Sequence, residues 1–239
     1  MTLLVLDFDG VICDSVEECF VSSWTAYHEL FRGLPRGEAP AAARAQFRAL
    51  RPFVRSGEDF VLIQELVDRQ ATVDSQEEFD RAWQRPGIPS RKAFKDLFYQ
   101  ARSSLMDRDR QAWLAMNPIY PHAASAISRL APTVPFFILS TKRPQFVRDT
   151  LAANGIRVPP DRVLYSEEEP KLSMIEKLLQ SWGAPRAIFV EDQIDSLRGN
   201  TDPRIQVYLA SWGYVQESWR EGTPWLTPED FVKLLADLE

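Results

Sequence analysis

The chain has 239 residues, of which 45% are hydrophobic, so it can bury the core of one domain with a large insertion or of two modest domains. Its formal net charge is -6 and its pI about 5.2, and no run of like charges indicates a nucleic-acid-binding arm. Cys13 and Cys19 are too few for a disulfide framework or a four-ligand zinc site. With neither an apolar run of membrane-spanning length nor a recognisable leader, the sequence predicts a cytoplasmic protein without a nucleic-acid or membrane partner.

Short apolar runs that end in polar clusters recur along the chain and predict buried strands. The first spans residues 2–6, and the others span residues 134–139, 162–165, 187–190 and 205–210. Segments with the apolar period of a helix lie between them, and a closing helix is expected after Thr227 and Pro228. This alternation predicts an α/β fold with a mostly parallel sheet, covered on both faces, that binds ligands at the carboxyl ends of its strands.

Between residues 15 and 117 the strand rhythm is absent and the patterning is helical. Its first apolar residues recur at the spacing of one helix face, namely Val16, Phe20, Trp24, Tyr27 and Phe31. We therefore predict an all-helical insertion over residues 15–117 that divides the sheet domain into segments 1–14 and 118–239.

Two carboxylates, Asp7 and Asp9, stand where the first predicted strand gives way to a loop. Strand alternation directs both side chains to one side and Phe8 to the other. Such a pair can divide its work, because one carboxylate can attack while the other donates and then removes a proton. Gly10 allows the chain to turn and bring backbone amides close to a bound oxyanion. Two acids after a strand are also typical of a solvated turn, so the prediction depends on the rest of the chain.

Further polar residues follow the later strands. Ser140 and Thr141 offer hydroxyl and amide donors for phosphate oxygens. Lys171 opens an amphipathic helix, where it would neutralise phosphate charge and orient the nucleophile. Glu191 and Asp192 end another strand, and magnesium takes carboxylate oxygens beside water and phosphate. Each of these residues alone could be solvated, but their order, each at a strand end or helix start, predicts one phosphate-handling site.

This ordered set resembles the haloacid dehalogenase-like superfamily over residues 1–14 and from about residue 118 to the end. Residues 7–15 are similar to its first motif, residues 138–142 to its second, Lys171 to its third and residues 189–192 to its fourth. The Trp212-Gly213-Tyr214 stretch is also similar to many members. The resemblance implies a Rossmann-like core with a helical cap inserted after the first motif.

The resemblance also implies a magnesium-dependent hydrolysis of a phosphate monoester of a small metabolite. Asp7 would attack phosphorus to form an aspartyl phosphate, while Asp9 would protonate the leaving oxygen and later activate water. Mg²⁺ would be held by Asp7, the backbone carbonyl of Asp9, and Asp192. The phosphate would be held by Ser140, Thr141 and Lys171. An aspartate at position 9 favours phosphoryl transfer over dehalogenation, because the family's dehalogenases lack that second acid.

The sequence departs from the family pattern around the fourth motif and at Val11. Glu191 stands where glycine is frequent, and Asp195 is the acid that follows Asp192, so either Glu191 or Asp195 could support the metal. Val11 replaces a threonine common in phosphatases and is familiar from mutase-type relatives, so a phosphomutase stays an alternative. An inactive phospho-ligand-binding protein is a second alternative. A receiver-type signalling module is less favoured, because its acidic pair would precede the phosphorylated aspartate.

Substrate choice would depend on the helical insertion. Four arginines lie close together near its middle, with the first three at spacings that could share a helix face: Arg44, Arg48, Arg51 and Arg55. Arg51 and Arg55 are our candidates for binding a substrate carboxylate or second phosphate. The alternative is that this row is a solvated helix face.

Overall fold

A computed structural model describes residues 1–35, 37–130 and 133–238. The chain forms two compact units, one containing Met1–Asp14 and Pro118–Glu239 and the other containing Ser15–Asn117. Glu239, the last residue of the predicted sheet domain, lies outside the described residues. No helix in the described ranges is both long and apolar enough to span a bilayer.

The described residues of the first unit contain one six-stranded parallel sheet in the order β3-β2-β1-β4-β5-β6. Its strands are β1 (Thr2–Leu6), β2 (Phe136–Ser140), β3 (Val163–Tyr165), β4 (Arg186–Glu191), β5 (Ile205–Ala210) and β6 (Trp225–Leu226). The predicted α/β class and Rossmann-like parallel sheet are confirmed. Sequence reasoning missed β6, which has only two residues and therefore no readable apolar period.

The helices, numbered along the chain, are α1 (Val16–Trp24), α2 (Ala41–Leu50), α3 (Gly57–Asp68), α4 (Gln76–Ala82), α5 (Arg91–Arg108), α6 (Arg110–Ala115), α7 (Pro121–Arg129), α8 (Pro144–Ala153), α9 (Lys171–Trp182) and α10 (Pro228–Ala236). Short 3₁₀ helices span Arg51–Phe53, Pro160–Arg162, Ile194–Ser196 and Glu217–Arg220. The closing helix α10 begins as predicted, because Thr227 accepts from the Asp230 amide and Asp230 bonds back to Thr227 in a capping box.

Strand alternation gives the sheet an apolar layer on each face. Leu4 and Leu6 of β1 belong to one layer, together with residues of α7, α8 and α10. Leu3 and Val5 belong to the other layer, together with Ile175 and Leu179 of α9. Helices therefore cover both faces, and the carboxyl ends of the strands are left to carry polar side chains.

In the second unit, helix α1 runs directly into a π-helix, Thr25–Phe31, which changes which residues face the interior. The wider π turn is visible where the Arg32 amide donates to the carbonyl of Tyr27, five residues back. Tyr27 is buried, but Phe31 is 38% exposed, so the predicted single apolar face ends before Phe31.

The same unit buries an ion pair between Glu18 of α1 and Arg102 of α5. The Arg102 guanidinium donates to both carboxylate oxygens of Glu18, at 2.8 and 2.7 Å, and the two side chains are 2% and 0% exposed. Ser22 and Trp113 also donate to this carboxylate. Such a pair fixes the register of α1 against α5, because neither charge could stay buried alone.

Candidate active site

The polar residues that follow β1, β2 and β4 meet at one edge of the sheet. Leu6 of β1 pairs with Ile138 of β2 on one side and with Val190 of β4 on the other. The strands run parallel, so the residues that follow these positions lie level with one another at the carboxyl ends of the strands. Parallel pairing therefore brings the first, second and fourth motifs together at the carboxyl edge.

Asp7 lies buried at the end of β1 and shares one ammonium group with Glu191. Lys171 Nζ lies 2.7 Å from Asp7 Oδ1 and 2.6 Å from Glu191 Oε2. Lys171 is the first residue of α9, and all three side chains are buried. The other oxygen of Glu191 accepts from the backbone amides of Asp192 and Gln193, at 3.0 and 3.1 Å. Glu191 is therefore held by both charged and backbone donors.

Burial and neighbouring charges act in opposite directions on the pKa values of Asp7 and Lys171. Burial and, after it, the charge of Glu191 raise the pKa of Asp7 to about 7, although Lys171 opposes the rise. Burial also disfavours the charged form of Lys171, but Asp7 and Glu191 outweigh burial and raise the pKa of its ammonium group. Lys171 therefore stays charged, and a second positive charge beside Asp7 would favour its ionised form.

Asp9 has a different partner from Asp7. Its Oδ1 accepts from Lys142 Nζ at 3.0 Å, and this lysine side chain is almost fully buried. The backbone amide of Lys142 donates to Ser140 Oγ at 3.1 Å, which joins Asp9 to the second motif. Two carboxylates two residues apart thus have different cationic partners and occupy distinct electrostatic environments.

Asp192 is confined by two glycines and a backbone amide. Gly10 has a φ of +89°, and a Cβ at that position would overlap Asp192 Oδ2. A Cβ on Gly213 would lie 2.5 Å from the Asp192 Cβ and 2.7 Å from the carbonyl oxygen of Gly10. The amide of Tyr214 donates to Asp192 Oδ2 at 3.0 Å. Because Gly10 and Gly213 have no side chains, there is room beside them for the Asp192 carboxylate.

Three of these carboxylates form a group suited to a hard cation. Asp7, Glu191 and Asp192 each offer an oxygen, and the three oxygens lie within 4.8 Å of one another. Oxygen donors of this kind suit Mg²⁺, and the donor set carries three negative charges beside the single ammonium of Lys171. Asp195 is not in this group; its carboxylate pairs with Arg198 at 3.5 Å. Glu191, and not Asp195, is the second acid that the fold brings to the cluster.

The predicted phosphate-binding hydroxyls and the two predicted substrate arginines differ in their surroundings. Ser140 is buried at the end of β2, and Thr141, which follows it, is half-buried. Arg51 is buried with its guanidinium 5.2 Å from the ring centre of Phe60. Arg55 makes a two-point ion pair with Asp80, at 2.6 and 3.1 Å.

The sequence predicts no role for Lys142, and it leaves Glu191 and Asp195 as alternatives for the acid that supports the metal. Lys142 and Glu191 sit inside the recognised motifs, respectively two residues after Ser140 and directly before Asp192. Spacing could have identified Lys142, since a turn after β2 can bring that side chain back over the strand end. The Tyr214 amide could not have been found, because a backbone donor leaves no mark in a sequence.

The family model described as "Hydrolase: haloacid dehalogenase-like hydrolase" matches residues 1–199. None of the curated proteins matches the chain.

Solved structures share the fold over the full length of the chain at low sequence identity. A haloacid dehalogenase-like family hydrolase from Streptococcus pneumoniae is 17% identical with a TM-score of 0.60, over 100% of this chain and 99% of that one. A predicted phosphoglycolate phosphatase from Haemophilus somnus is 15% identical with a TM-score of 0.65, over 100% and 98%. A predicted phosphatase from Clostridium acetobutylicum is 13% identical with a TM-score of 0.59, over 99% and 98%. At these identities the likeness is one of fold.

Proposed function

Since the chain belongs to the haloacid dehalogenase-like hydrolase family, we propose that it is a magnesium-dependent phosphatase that hydrolyses a phosphate monoester of a small metabolite. One observation carries the proposal: Lys171 holds the buried Asp7 at 2.7 Å, within a group of carboxylates that suits a hard cation. A nucleophile beside a fixed positive charge is what phosphoryl transfer needs, because the reaction consists largely of positioning and charge stabilisation.

In the first step Asp7 attacks phosphorus, so an oxygen–phosphorus bond forms on its carboxylate while the bond to the leaving oxygen breaks. Asp9 gives its proton to that leaving oxygen. In the second step water attacks the phosphorus of the aspartyl phosphate, and Asp9 takes the proton that the water loses. Inorganic phosphate leaves and Asp7 is regenerated, which balances the reaction without any further reactant.

Lys142 and Ser140 support this exchange of a proton. In the free protein the Lys142 ammonium orients the Asp9 carboxylate at 3.0 Å, and the Lys142 amide is fixed on Ser140 Oγ. Ser140, Thr141 and Lys171 would donate to the phosphate oxygens, whose charge the two lysines then offset. Asp9 must carry a proton when the substrate is bound, and the negative phosphate beside it favours that protonated form.

Mg²⁺ would be held by Asp7, Asp192 and the backbone carbonyl of Asp9, with Glu191 holding Lys171 against Asp7. Bound there, the ion supplies charge neutralisation for the phosphoryl group. The charges of the site fit such an ion: the side chains of Asp7, Asp9, Glu191 and Asp192 face the two ammonium groups described above, so a divalent cation would complete the balance.

We keep Arg51 and Arg55 as proposed contacts to a substrate carboxylate or second phosphate. Both terminal nitrogens of Arg55 donate to the Asp80 carboxylate, which is the two-point geometry in which arginine recognises carboxylates and phosphates, so a substrate anion would take the place of Asp80. Phosphoglycolate, which carries both groups, belongs in the substrate panel because one similar fold is named as a predicted phosphatase of that compound. A raised KM with a preserved kcat in Arg51→Lys or Arg55→Ala would support the contacts, and an unchanged substrate ranking in both would refute them.

The function is tested by measuring phosphate release from a panel of phosphate monoesters with and without Mg²⁺. We expect release by the wild type only with Mg²⁺, none by Asp7→Asn, and a loss of about 10²- to 10⁴-fold in Asp9→Asn. Trapping with beryllium fluoride should require Asp7. A wild type that releases no more phosphate than Asp7→Asn across the panel would refute the hydrolase function and leave a phospho-ligand-binding protein. Transfer of phosphate to a second substrate molecule, instead of water, would establish a phosphomutase.

A further inference from the structure

The loop that follows β5, residues 211–214, is fastened to the site at several points. Trp212 Nε1 donates to the carbonyl oxygen of Val11 at 3.1 Å. The Tyr214 amide donates to Asp192 Oδ2 at 3.0 Å, and the Tyr214 hydroxyl donates to Asp14 Oδ1 at 2.7 Å. One tyrosine thus contacts Asp192 through its backbone and Asp14 through its side chain.

The backbone at Asp14 is held by hydrogen bonds, so its side chain can anchor the loop. Its amide donates to the carbonyl oxygen of Pro118 at 2.9 Å, and the Tyr120 amide donates to the carbonyl oxygen of Ile12 at the same distance. Tyr120 also lies against this cluster, where burial and the negative charges of Asp14 and Asp192 raise the pKa of its hydroxyl. The Tyr214 ring is therefore held at its far end by a segment that is pinned by backbone hydrogen bonds.

The Asp192 carboxylate has little freedom within this frame. Gly10 and Gly213 leave no room for a side chain beside it, as described above. The Tyr214 amide donates to Oδ2 of this carboxylate, which also contributes an oxygen to the group formed with Asp7 and Glu191. The orientation of Asp192 thus depends on where the Tyr214 amide stands.

We propose that Tyr214 is a positioning residue for Asp192: its hydroxyl, anchored on Asp14, fixes the backbone amide that orients the metal-binding carboxylate. The inference rests on the proposed function, since it assumes that Asp192 binds Mg²⁺. Partners of this outer kind fix the geometry of a metal ligand, and their loss weakens metal binding without removing any ligand.

The test is isothermal titration of Mg²⁺ into EDTA-stripped, full-length protein, comparing the wild type with Tyr214→Phe. Phenylalanine keeps the backbone amide and the ring but loses the hydroxyl, and with it the bonds to Asp14 and to the Tyr120 side chain. We expect the Mg²⁺ Kd to rise about tenfold, at the lower end of the range for such partners, with one ion still bound per chain. Tyr208→Phe is the matched control, because this tyrosine lies on β5 just before the loop, and its Kd should equal that of the wild type.

A merely structural role would give a different pattern. Loss of folded protein lowers the number of sites per chain and leaves the Kd of the remaining folded molecules unchanged. Asp14→Ala should also raise the Kd, and the double variant Asp14→Ala/Tyr214→Phe should bind Mg²⁺ no more weakly than Tyr214→Phe alone, because the phenylalanine has already lost the bond to Asp14. Gly213→Ala should raise the Kd by more, since its Cβ displaces Asp192 directly.

Three outcomes decide between the possibilities. A rise of threefold or more in Tyr214→Phe, at unchanged stoichiometry and without additivity with Asp14→Ala, supports the inference. A Kd within threefold of the wild type overturns it and leaves the proposed metal site intact. A wild type that binds no Mg²⁺ at millimolar concentrations refutes the metal site itself and the inference with it.

Discussion

Replacing the proposed nucleophile, Asp7→Asn, should abolish phosphate release and at the same time stabilise the metal-free protein. Asp7 is buried beside Glu191, and burial is the main reason that its pKa rises to about 7. Asparagine has nearly the same shape and can still accept from Lys171. The substitution therefore removes an unfavourable buried charge without leaving a cavity.

The magnitude follows from proton linkage. A carboxyl with a pKa of about 7 in the fold and its ordinary 3.8 in the unfolded chain costs about 4 kcal/mol of stability once it is ionised in both states, because each pKa unit is worth about 1.36 kcal/mol. Between those two values the folded state binds more protons, so stability falls as the pH rises. The gain in Asp7→Asn should accordingly be small at pH 4, grow through pH 6 and level off above pH 7. Lys171 loses one carboxylate, so about 4 kcal/mol is an upper limit.

The assay is urea unfolding of the EDTA-stripped proteins at several pH values, followed by tryptophan fluorescence and circular dichroism. Asp161→Asn is the surface control, with its side chain 79% exposed, and should change stability by no more than about 0.5 kcal/mol at any pH. Saturating Mg²⁺ should remove the advantage of Asp7→Asn by stabilising only the wild type. An Asp7→Asn protein no more stable than the wild type at pH 8, or equally favoured at pH 4 and pH 8, would refute the reasoning.

Three further substitutions test other parts of the structure. Arg102→Met removes the cation that pairs with the buried Glu18 carboxylate and should lower the free energy of unfolding by about 3–5 kcal/mol. Adding Glu18→Gln should restore part of this loss, as measured by urea titration. Lys142→Met removes the ammonium group that donates to Asp9 Oδ1 and should lower kcat for phosphate release about tenfold, which is a part of the full acid/base contribution. Lys177→Met, at an exposed lysine, should leave kcat unchanged. Gly10→Ala places a Cβ on Asp192 and should abolish Mg²⁺ binding measured by calorimetry; Gly155→Ala, at a positive φ in open space, should cost only about 1–2 kcal/mol of stability.

The sheet could be predicted from the sequence because each of its longer strands is a continuous apolar run ending in a polar cluster. The predicted limits of β1 and β5 coincide with those of the structure, while the predicted start of β2 lies two residues early, since Val134 and Pro135 continue the apolar run. The predicted buried helix face includes Phe31 because a uniform α-helical turn would place it there. A π-helix depends on the packing around it, and no local sequence pattern predicts it.

Only part of the site could be predicted from the sequence, because its remaining contacts also depend on tertiary packing. Carboxylates and lysines at strand ends are visible in a sequence, and parallel pairing explains why Asp7, Ser140 and Asp192 share one edge. Which cation pairs with which carboxylate depends on side-chain reach across the edge. The sequence therefore indicates Lys171 near the proposed nucleophile, Asp7, but not the separate pairing of Lys142 with Asp9.

The same charges that suit the site to phosphoryl transfer oppose folding, so the surrounding structure has to hold them in place. Asp7, Glu191 and Asp192 are all buried, and their nearest compensation is one ammonium group and the amides of Asp192, Gln193 and Tyr214. Backbone amides are suited to this task, because they lower the cost of a buried carboxylate without adding a charge that would compete with Mg²⁺ or phosphate. Lys171 alone cannot neutralise three carboxylates, and a further lysine at this position would exclude the metal. The fold therefore keeps a deficit of positive charge that the proposed cation would fill.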